Sequence, residues 1–223
     1  MKNYFITATD TDAGKTLVAA SLTGALVKQG KKVAVYKPIS AGCENVDGKL
    51  VNGDALELQQ QANSKQSIEQ INPIAFEEPI APHIAALTKN AVITCDLINS
   101  GFSAITENSA DITITEGAGG WRLPLGNGEY LSDFVKQQKL DVILVVHMKL
   151  GCLNHAVLTY QSIINDGLNV VAWVANFPEQ MPYLQQNIDY LKSEIEAPLI
   201  AQIDRVESPQ QAMAKFDLSN LSN

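Results

Sequence analysis

Tyr4-Phe-Ile-Thr-Ala8 runs without a break into Thr9-Asp-Thr-Asp-Ala-Gly-Lys-Thr16, and this stretch decides how the rest of the chain is read. The first five residues are β-rich. The next eight are polar and end in Gly-Lys-Thr. Lys15–Gln29 then carries Val18, Leu22 and Leu26 at four-residue spacing, with Gly30 placed as a C-terminal stop, which predicts an amphipathic helix. Strand, loop and helix in that order form a phosphate cradle. Backbone N–H groups at the helix N-terminus face the anion, Lys15 meets the outer phosphates, and the Thr16 hydroxyl reaches Mg²⁺. The strict pattern has glycine at position 9, where this chain has Thr9. Gly-Lys-Thr alone is common by chance, so the flanking strand and helix carry the reading.

Working outward, further β-rich runs recur at Val33–Lys37, Asp111–Glu116, Val142–His147, Val170–Ala175 and Leu199–Ile203. Most are dense in Val and Ile without strict alternation, as strands buried on both faces are. Leu153–Asn165 and Tyr183–Glu194 read as helices between them. Alternating strands and helices predict an α/β fold of the P-loop NTPase-like type, a mostly parallel central sheet with helices on both faces. From Ala41 to Asn108 the pattern is less regular: a polar loop over Asn45–Gly53, a short helix over Asp54–Gln61, a connection punctuated by Pro73, Pro79 and Pro82, then a helix over Cys95–Glu107. No repeat or composition shift marks a linker, so residues 1–223 are expected to form one domain.

Composition narrows the function. With 24 Asp+Glu against 16 Lys+Arg the net charge is −8, which disfavours a nucleic-acid surface. At 46% hydrophobic and 18% charged residues, the chain can build a core and is not of the disordered class. No apolar run approaches a membrane span, Val142-Ile-Leu-Val-Val146 being typical, and the polar turn after Tyr4-Phe-Ile6 gives no secretory segment. Cys43, Cys95 and Cys152 are odd in number and lack a C-x-x-C pair, so neither disulfides nor zinc are expected. The expectation is a cytoplasmic protein without nucleic-acid or membrane partners.

A phosphate loop needs a second carboxylate for its metal, carried at the end of a neighbouring strand. Asp111-Ile-Thr-Ile-Thr-Glu116 offers Glu116, with Ile112 and Ile114 facing inward. Gly117-Ala-Gly-Gly120 after it lets backbone approach a ligand. Lys37 closes the second strand and so projects from the same sheet edge, where it could neutralise a phosphoryl or carbamate oxygen, or simply be solvated.

Together these pieces resemble the dethiobiotin synthetase family, ATP-dependent ligases of biotin synthesis. The resemblance rests on residues 9–16, Tyr36-Lys-Pro38, Asn52-Gly-Asp-Ala55, Asn72-Pro73 through Pro82-His83, Glu116-Gly-Ala-Gly-Gly-Trp121, Val142–Val146, Lys149-Leu-Gly-Cys-Leu-Asn-His155 and Trp173-Val-Ala-Asn176. It implies Thr16, Asp54 and Glu116 as magnesium ligands, oxygen donors suited to a hard cation. It implies Thr11, Lys15 and Lys37 around the reacting carbamate and γ-phosphate. For nucleotide it implies Asp12, Ala13, Gly14, Lys15, Thr16 and Leu17, with Glu116, Gly117, Gly119 and an adenine-reading Asn176. For substrate it implies Ser40, and Leu150, Gly151, Cys152, Leu153 and Asn154 reaching in from the partner of a homodimer whose active site lies at the subunit interface. N–H groups before the helix near Asn154 could hold a distant carboxylate.

Three positions depart from the family pattern: Ala8 where glycine is frequent, Ser40-Ala41 with the hydroxyl one place early, and His147 where a small residue is common. His147 reads best as a buried, hydrogen-bonded histidine. His83 and the tryptophans 121 and 173 read as packing groups, and His155 as a first-turn helix residue. The implied reaction uses ATP and Mg²⁺ to join CO₂ to 7,8-diaminopelargonic acid through a carbamate and a carbamic-phosphoric mixed anhydride, giving dethiobiotin, ADP and phosphate. The alternative is a partitioning-type P-loop switch ATPase with a protein partner. Its signature lysine, five residues before the loop lysine, is Asp10 here. An amidoligase relative would need a glutaminase domain for which there is no room, and a GTP switch would need an Asn-Lys-x-Asp motif that is absent.

Overall fold

All six expected β-runs become strands of one sheet in the computed structural model, which describes residues 1–106 and 110–221. They are β1 (Lys2–Ala8), β2 (Val33–Tyr36), β3 (Ile112–Glu116), β4 (Asp141–His147), β5 (Val170–Phe177) and β6 (Leu199–Asp204). Their order across the sheet is β6-β5-β4-β1-β3-β2. Every pairing is parallel. The chain therefore starts at the centre of the sheet, with β4 on one side of β1 and β3 on the other. In such a sheet ligands bind outside the carboxyl ends of the strands, where the strand order reverses.

Nine helices are described: α1 (Lys15–Lys28), α2 (Gly53–Gln61), α3 (Ile68–Ile71), α4 (Pro82–Thr88), α5 (Cys95–Thr106), α6 (Leu131–Gln138), α7 (Cys152–Asn165), α8 (Leu184–Glu194) and α9 (Pro209–Met213). One face of the sheet, carrying Ile6, Val35, Ile114, Ile143 and Val174, packs against α1, α2 and α9. The other is covered in two blocks, α5 and α6 over Phe5, Tyr36 and Val142, and α7 and α8 over Leu144, Val146 and Trp173. Thr113 and Thr115 are as buried as Ile112 and Ile114, so β3 has no outward face.

Several boundaries move for visible reasons. β2 stops at Tyr36 because the Lys37 N–H leaves the ladder and donates to the Ile71 carbonyl at 2.8 Å, and Pro38 has no N–H to continue it. Asp111 precedes β3, its carboxylate accepting the Lys32 N–H at 2.7 Å. The helix expected to reach Glu107 is described to Thr106; Glu107 lies outside the described residues. α1 ends as its glycine predicts: Gly30 has φ +82°, and Lys31 N–H returns to Leu26 O. Yet α1 is not amphipathic. Residues 18–26 are all buried, because the helix is sandwiched between the sheet on one side and α2 and α9 on the other. Gly24 lets α9 come close: a Cβ there would collide with the Met213 side chain.

The segment read as a polar loop contains a hairpin, Glu44–Val46 antiparallel to Lys49–Val51. Its two turn residues, Asp47 and Gly48, both have positive φ, the pattern of a primed hairpin turn. Beyond β6 the chain returns to the start: Tyr4 Oη donates to Leu221 O at 3.0 Å.

Candidate active site

The carboxyl edge of the sheet opens into a cleft of about 800 Å³. Its floor is the phosphate loop. Ile6 pairs with Glu116 and Ala8 with Val145 in the parallel register, so Glu116 ends its strand level with Ile6, two residues before β1 gives way to the loop. Gly14 is the N-cap of α1 with φ +92°, and no side chain caps that helix end. Its first N–H groups are therefore available to an anion. A Cβ on Gly14 would strike the Asn176 side chain, and one on Gly117 would come within 2.8 Å of Phe5 Cζ. Both glycines are required by close approach.

Four side chains from four parts of the chain form one cluster: Thr16 and Lys37 meet the Glu116 carboxylate, and Asp54 joins through Lys37. Glu116 is 1% exposed. Its Oε1 accepts from the Thr16 hydroxyl at 2.8 Å and from Lys37 Nζ at 2.8 Å. Lys37 Nζ also meets Asp54 Oδ2 at 3.1 Å. The lysine is buried, not solvated: 3% exposed. Burial alone would pull its pKa down, but the Glu116 and Asp54 carboxylates outweigh it and hold Lys37 above its ordinary value. Lys15 is also buried, and burial lowers its pKa, opposed by Glu116 and reinforced by Lys37. Its Nζ donates to the Asp10 carbonyl at 3.1 Å.

Asp54 reaches the cluster because Asn52 caps α2, its Oδ1 accepting the Ala55 N–H at 3.3 Å, which fixes Asp54 in the first turn. Glu57, one turn further, has its pKa raised by burial and then by Asp54 and Glu116. Thr11, Asp12, Gly14, Lys15, Thr16, Lys37, Ser40, Asp54, Glu116, Gly117 and Gly119 all line the cleft. Ala13, Leu17 and Asn176 are not among its lining residues. Asn176 Nδ2 donates to Ala13 O at 2.9 Å, leaving its buried Oδ1 without a partner. The Ser40 hydroxyl donates to Asn72 Oδ1 at 2.6 Å, and Asn72 Nδ2 donates to the Lys37 carbonyl at 2.7 Å.

Leu150, Gly151, Cys152, Leu153 and Asn154 do not line the cleft of their own chain. Leu150 is 98% exposed, and Gly151, φ +94°, begins α7 with no side-chain cap. The preceding Lys149 is tied to the phosphate loop through Asp10 Oδ2 at 3.1 Å. That bond is the first cause of the lowered Asp10 pKa. His155 is in the first turn of α7, as expected. Trp121 packs edge-on to Phe5 and donates to Asp166 at 2.8 Å; Trp173 is fully buried. His147 differs from its expectation. It is half-buried and its Nδ1 has no hydrogen-bond partner; burial, then Lys149, lowers its pKa. His83 Nδ1 is likewise unpartnered.

Asp10, Asn52 and Asn72 support this site without having been singled out. Asn52 ahead of Gly-Asp-Ala carried an N-cap signal. Asn72 carried no local signal beyond its place in a family stretch, since its partners lie 32 and 35 residues away. Among the described residues no group of three or more His, Cys, Asp or Glu is placed to hold a metal. Two carboxylates and a hydroxyl do fit a magnesium ion that keeps water and phosphate oxygens, and the buried Glu116 Oε2, which has no partner, is a donor atom awaiting one.

A parallel sheet whose central strand feeds a glycine-lysine-threonine loop, with an acidic strand end beside it, defines a P-loop protein that handles magnesium nucleotides. The family described as AAA domain matches residues 2–212. In fold the chain is similar to the MinD cell division protein of Aquifex aeolicus, with a TM-score of 0.57 at 14% identity, covering 96% of this chain and 94% of that one. In sequence it is similar to the ATP-dependent dethiobiotin synthetase BioD of Aeromonas salmonicida, 46% identical over 224 residues and 99% of both chains. It is also similar to that of Alteromonas mediterranea, 49% identical over 214 residues, 91% of this chain and 92% of the relative. The chain belongs to the dethiobiotin synthetase family. The likeness to the cell division protein stops at the fold, so the switch-ATPase alternative is set aside.

Proposed function

We propose that this chain is an ATP- and Mg²⁺-dependent cyclo-ligase that joins CO₂ to 7,8-diaminopelargonic acid and closes the urea ring of dethiobiotin, releasing ADP and phosphate. The observation that carries the reading, beside the family, is the Lys37–Glu116–Thr16–Asp54 cluster at the mouth of the phosphate loop, in which Lys37 and Glu116 are buried. One substrate amine captures CO₂ as a carbamate. Phosphorylation of a carbamate oxygen gives the mixed anhydride, and the second amine attacks its carbonyl and expels phosphate. Both nucleophiles belong to the substrate, so the protein supplies position and charge.

Lys15 and Lys37 are the catalytic cations, neutralising charge that develops on phosphoryl and carbamate oxygens, and Thr11 orients the carbamate. Asp12, Ala13, Gly14, Lys15, Thr16 and Leu17, with Gly117 and Gly119, hold the phosphates. Asn176 offers its unpartnered Oδ1 to the adenine amino group. Thr16, Asp54 and Glu116 hold the metal, which supplies charge neutralisation on the phosphates when bound. Ser40 positions the substrate end of the Lys37 strand through Asn72.

Residues 150–154 reach a second copy of the chain in a homodimer, where the uncapped α7 N-terminus receives the substrate carboxylate. The exposure of Leu150, Gly151 and Asn154, and the absence of all five from the lining of their own chain's cleft, support this reading; Cys152 is buried and anchors the segment to the core. The enzyme works in the cytoplasm as one domain. No described helix is long and apolar enough to cross a membrane.

The test is phosphate release from MgATP and bicarbonate, with and without the diamine, with the product mass read alongside. Phosphate release that requires the diamine and matches the urea formed supports the ligase. Diamine-independent hydrolysis without urea overturns it.

A further inference from the structure

Lys37 is doing something in this structure that its role as a catalytic cation does not require. Its ammonium sits between the two carboxylates assigned to the metal, 2.8 Å from Glu116 Oε1 and 3.1 Å from Asp54 Oδ2. The third assigned ligand, the Thr16 hydroxyl, is bonded to that same Glu116 oxygen. An ammonium has donors and no lone pair, so it cannot join a metal's coordination shell. A divalent cation held by the same two carboxylates would lie beside the Lys37 ammonium, and at that separation the two positive charges repel.

We infer that Lys37 is an internal stand-in for the divalent cation: it occupies the Asp54–Glu116 seat until a metal enters, and metal entry releases its ammonium into the cleft. The inference rests on the metal-ligand reading above and adds an order of events to it.

Three features make the exchange workable. The Lys37 backbone is pinned on both sides, its N–H to Ile71 O at 2.8 Å and its carbonyl to Asn72 Nδ2 at 2.7 Å, so the movement falls to the four-carbon stem. Lys37 leaves the seat incompletely satisfied, since Glu116 Oε2 stays buried without a partner. Asp54 is the accessible side of the seat, its side chain 47% exposed against 1% for Glu116, so a hydrated cation can approach from the cleft. The consequence is that Lys37 becomes free to meet an anionic oxygen only when the metal is in place. Before that, its charge serves to keep two close carboxylates from repelling each other.

Reductive methylation of the intact protein reads this directly, with lysines mapped by peptide mass. Without metal, the Lys37 amine should be protected. With saturating MgCl₂, its labelling should rise about tenfold or more, as for a group passing from buried to accessible, while surface lysines such as Lys28 stay unchanged. Mn²⁺ binding, followed by electron paramagnetic resonance, gives the reciprocal measurement. Lys37→Met should bind Mn²⁺ at least about tenfold more tightly than the parent, because the competing ammonium is gone.

Glu116→Gln distinguishes a failure of the exchange from a failure of the metal site. If it weakens Mn²⁺ binding while Lys37 labelling stays flat in the parent, the metal site stands and the exchange is wrong. If Mn²⁺ binding ignores Glu116→Gln, the ligand reading itself fails and the exchange falls with it. Should Lys37→Met not fold, the labelling of the parent protein decides alone.

Discussion

Two regions at the same sheet edge are built on opposite plans. Around Glu116, charge is gathered inward: Lys37, Lys15 and Glu116 are buried, and Lys37 bridges two carboxylates. At the start of α7, Leu150 is almost fully exposed and the helix end is left uncapped. The first region is organised within one chain and should act by pre-set electrostatics. The second leaves Leu150 and the N-terminus of α7 outside the cleft of its own chain, and in the homodimer proposed above another copy covers them. Preorganised charge in a dry pocket is worth far more than the same charge in water, so the regions should respond very differently to substitution.

Lys37→Gln should have the largest effect. It removes the cation that balances Glu116 and Asp54, and kcat should fall by roughly 100- to 1000-fold. Unfolding should also show a loss of roughly 3 kcal/mol, since the variant strands a buried carboxylate. Near-normal turnover would break the contrast from the buried side. Gly14→Ala comes next. Its φ of +92° and the Asn176 side chain both resist a Cβ, so calorimetry should show nucleotide affinity about tenfold weaker or more.

Leu150→Asp probes the other region. Its melting temperature at low protein concentration should stay within about 2 °C of the parent, as for most surface changes. Sedimentation should show a dimer weakened or lost, with activity falling in step. A variant that keeps both dimer and activity would remove the reason for treating residues 150–154 as a trans-acting rim.

The smallest effect concerns alkaline pH. Lys37 is raised in the folded state, so its contribution is fully present below the unfolded lysine value of about 10.4 and is lost as pH rises through its folded pKa. Lys15, lowered by burial, acts with the opposite sign, its burial penalty easing as it deprotonates. The stability of Lys37→Met should therefore fall less steeply above about pH 10.4 than that of the parent. Equal slopes in denaturant titrations would mean that the Lys37 pairing contributes little.

What could be read in advance divides along physical lines. The phosphate loop was legible because strand, loop and helix are contiguous and each has a local signal. Buried strands such as Val142–His147 were legible from β-branched density. The burial of α1 on nearly every side was not, because small residues such as Ala19 and Gly24 signal no neighbour until α9 arrives. The Asp47-Gly48 hairpin carried a known turn signal that the surrounding polarity hid. The meeting of Lys37 with Glu116, 79 residues on, depends on β2 pairing with β3 beside β1, a topological fact no local pattern contains. Asp54 entered through family resemblance; its N-cap explains physically why it points where it does.

The most direct test of the account is a single-turnover reaction with ¹³C-bicarbonate, MgATP and diaminopelargonic acid, following carbonyl carbon by NMR and phosphate by colour. A labelled cyclic-urea carbonyl should appear in equal amount with phosphate, and neither product should form without the diamine. Phosphate released while the label stays in bicarbonate would contradict it.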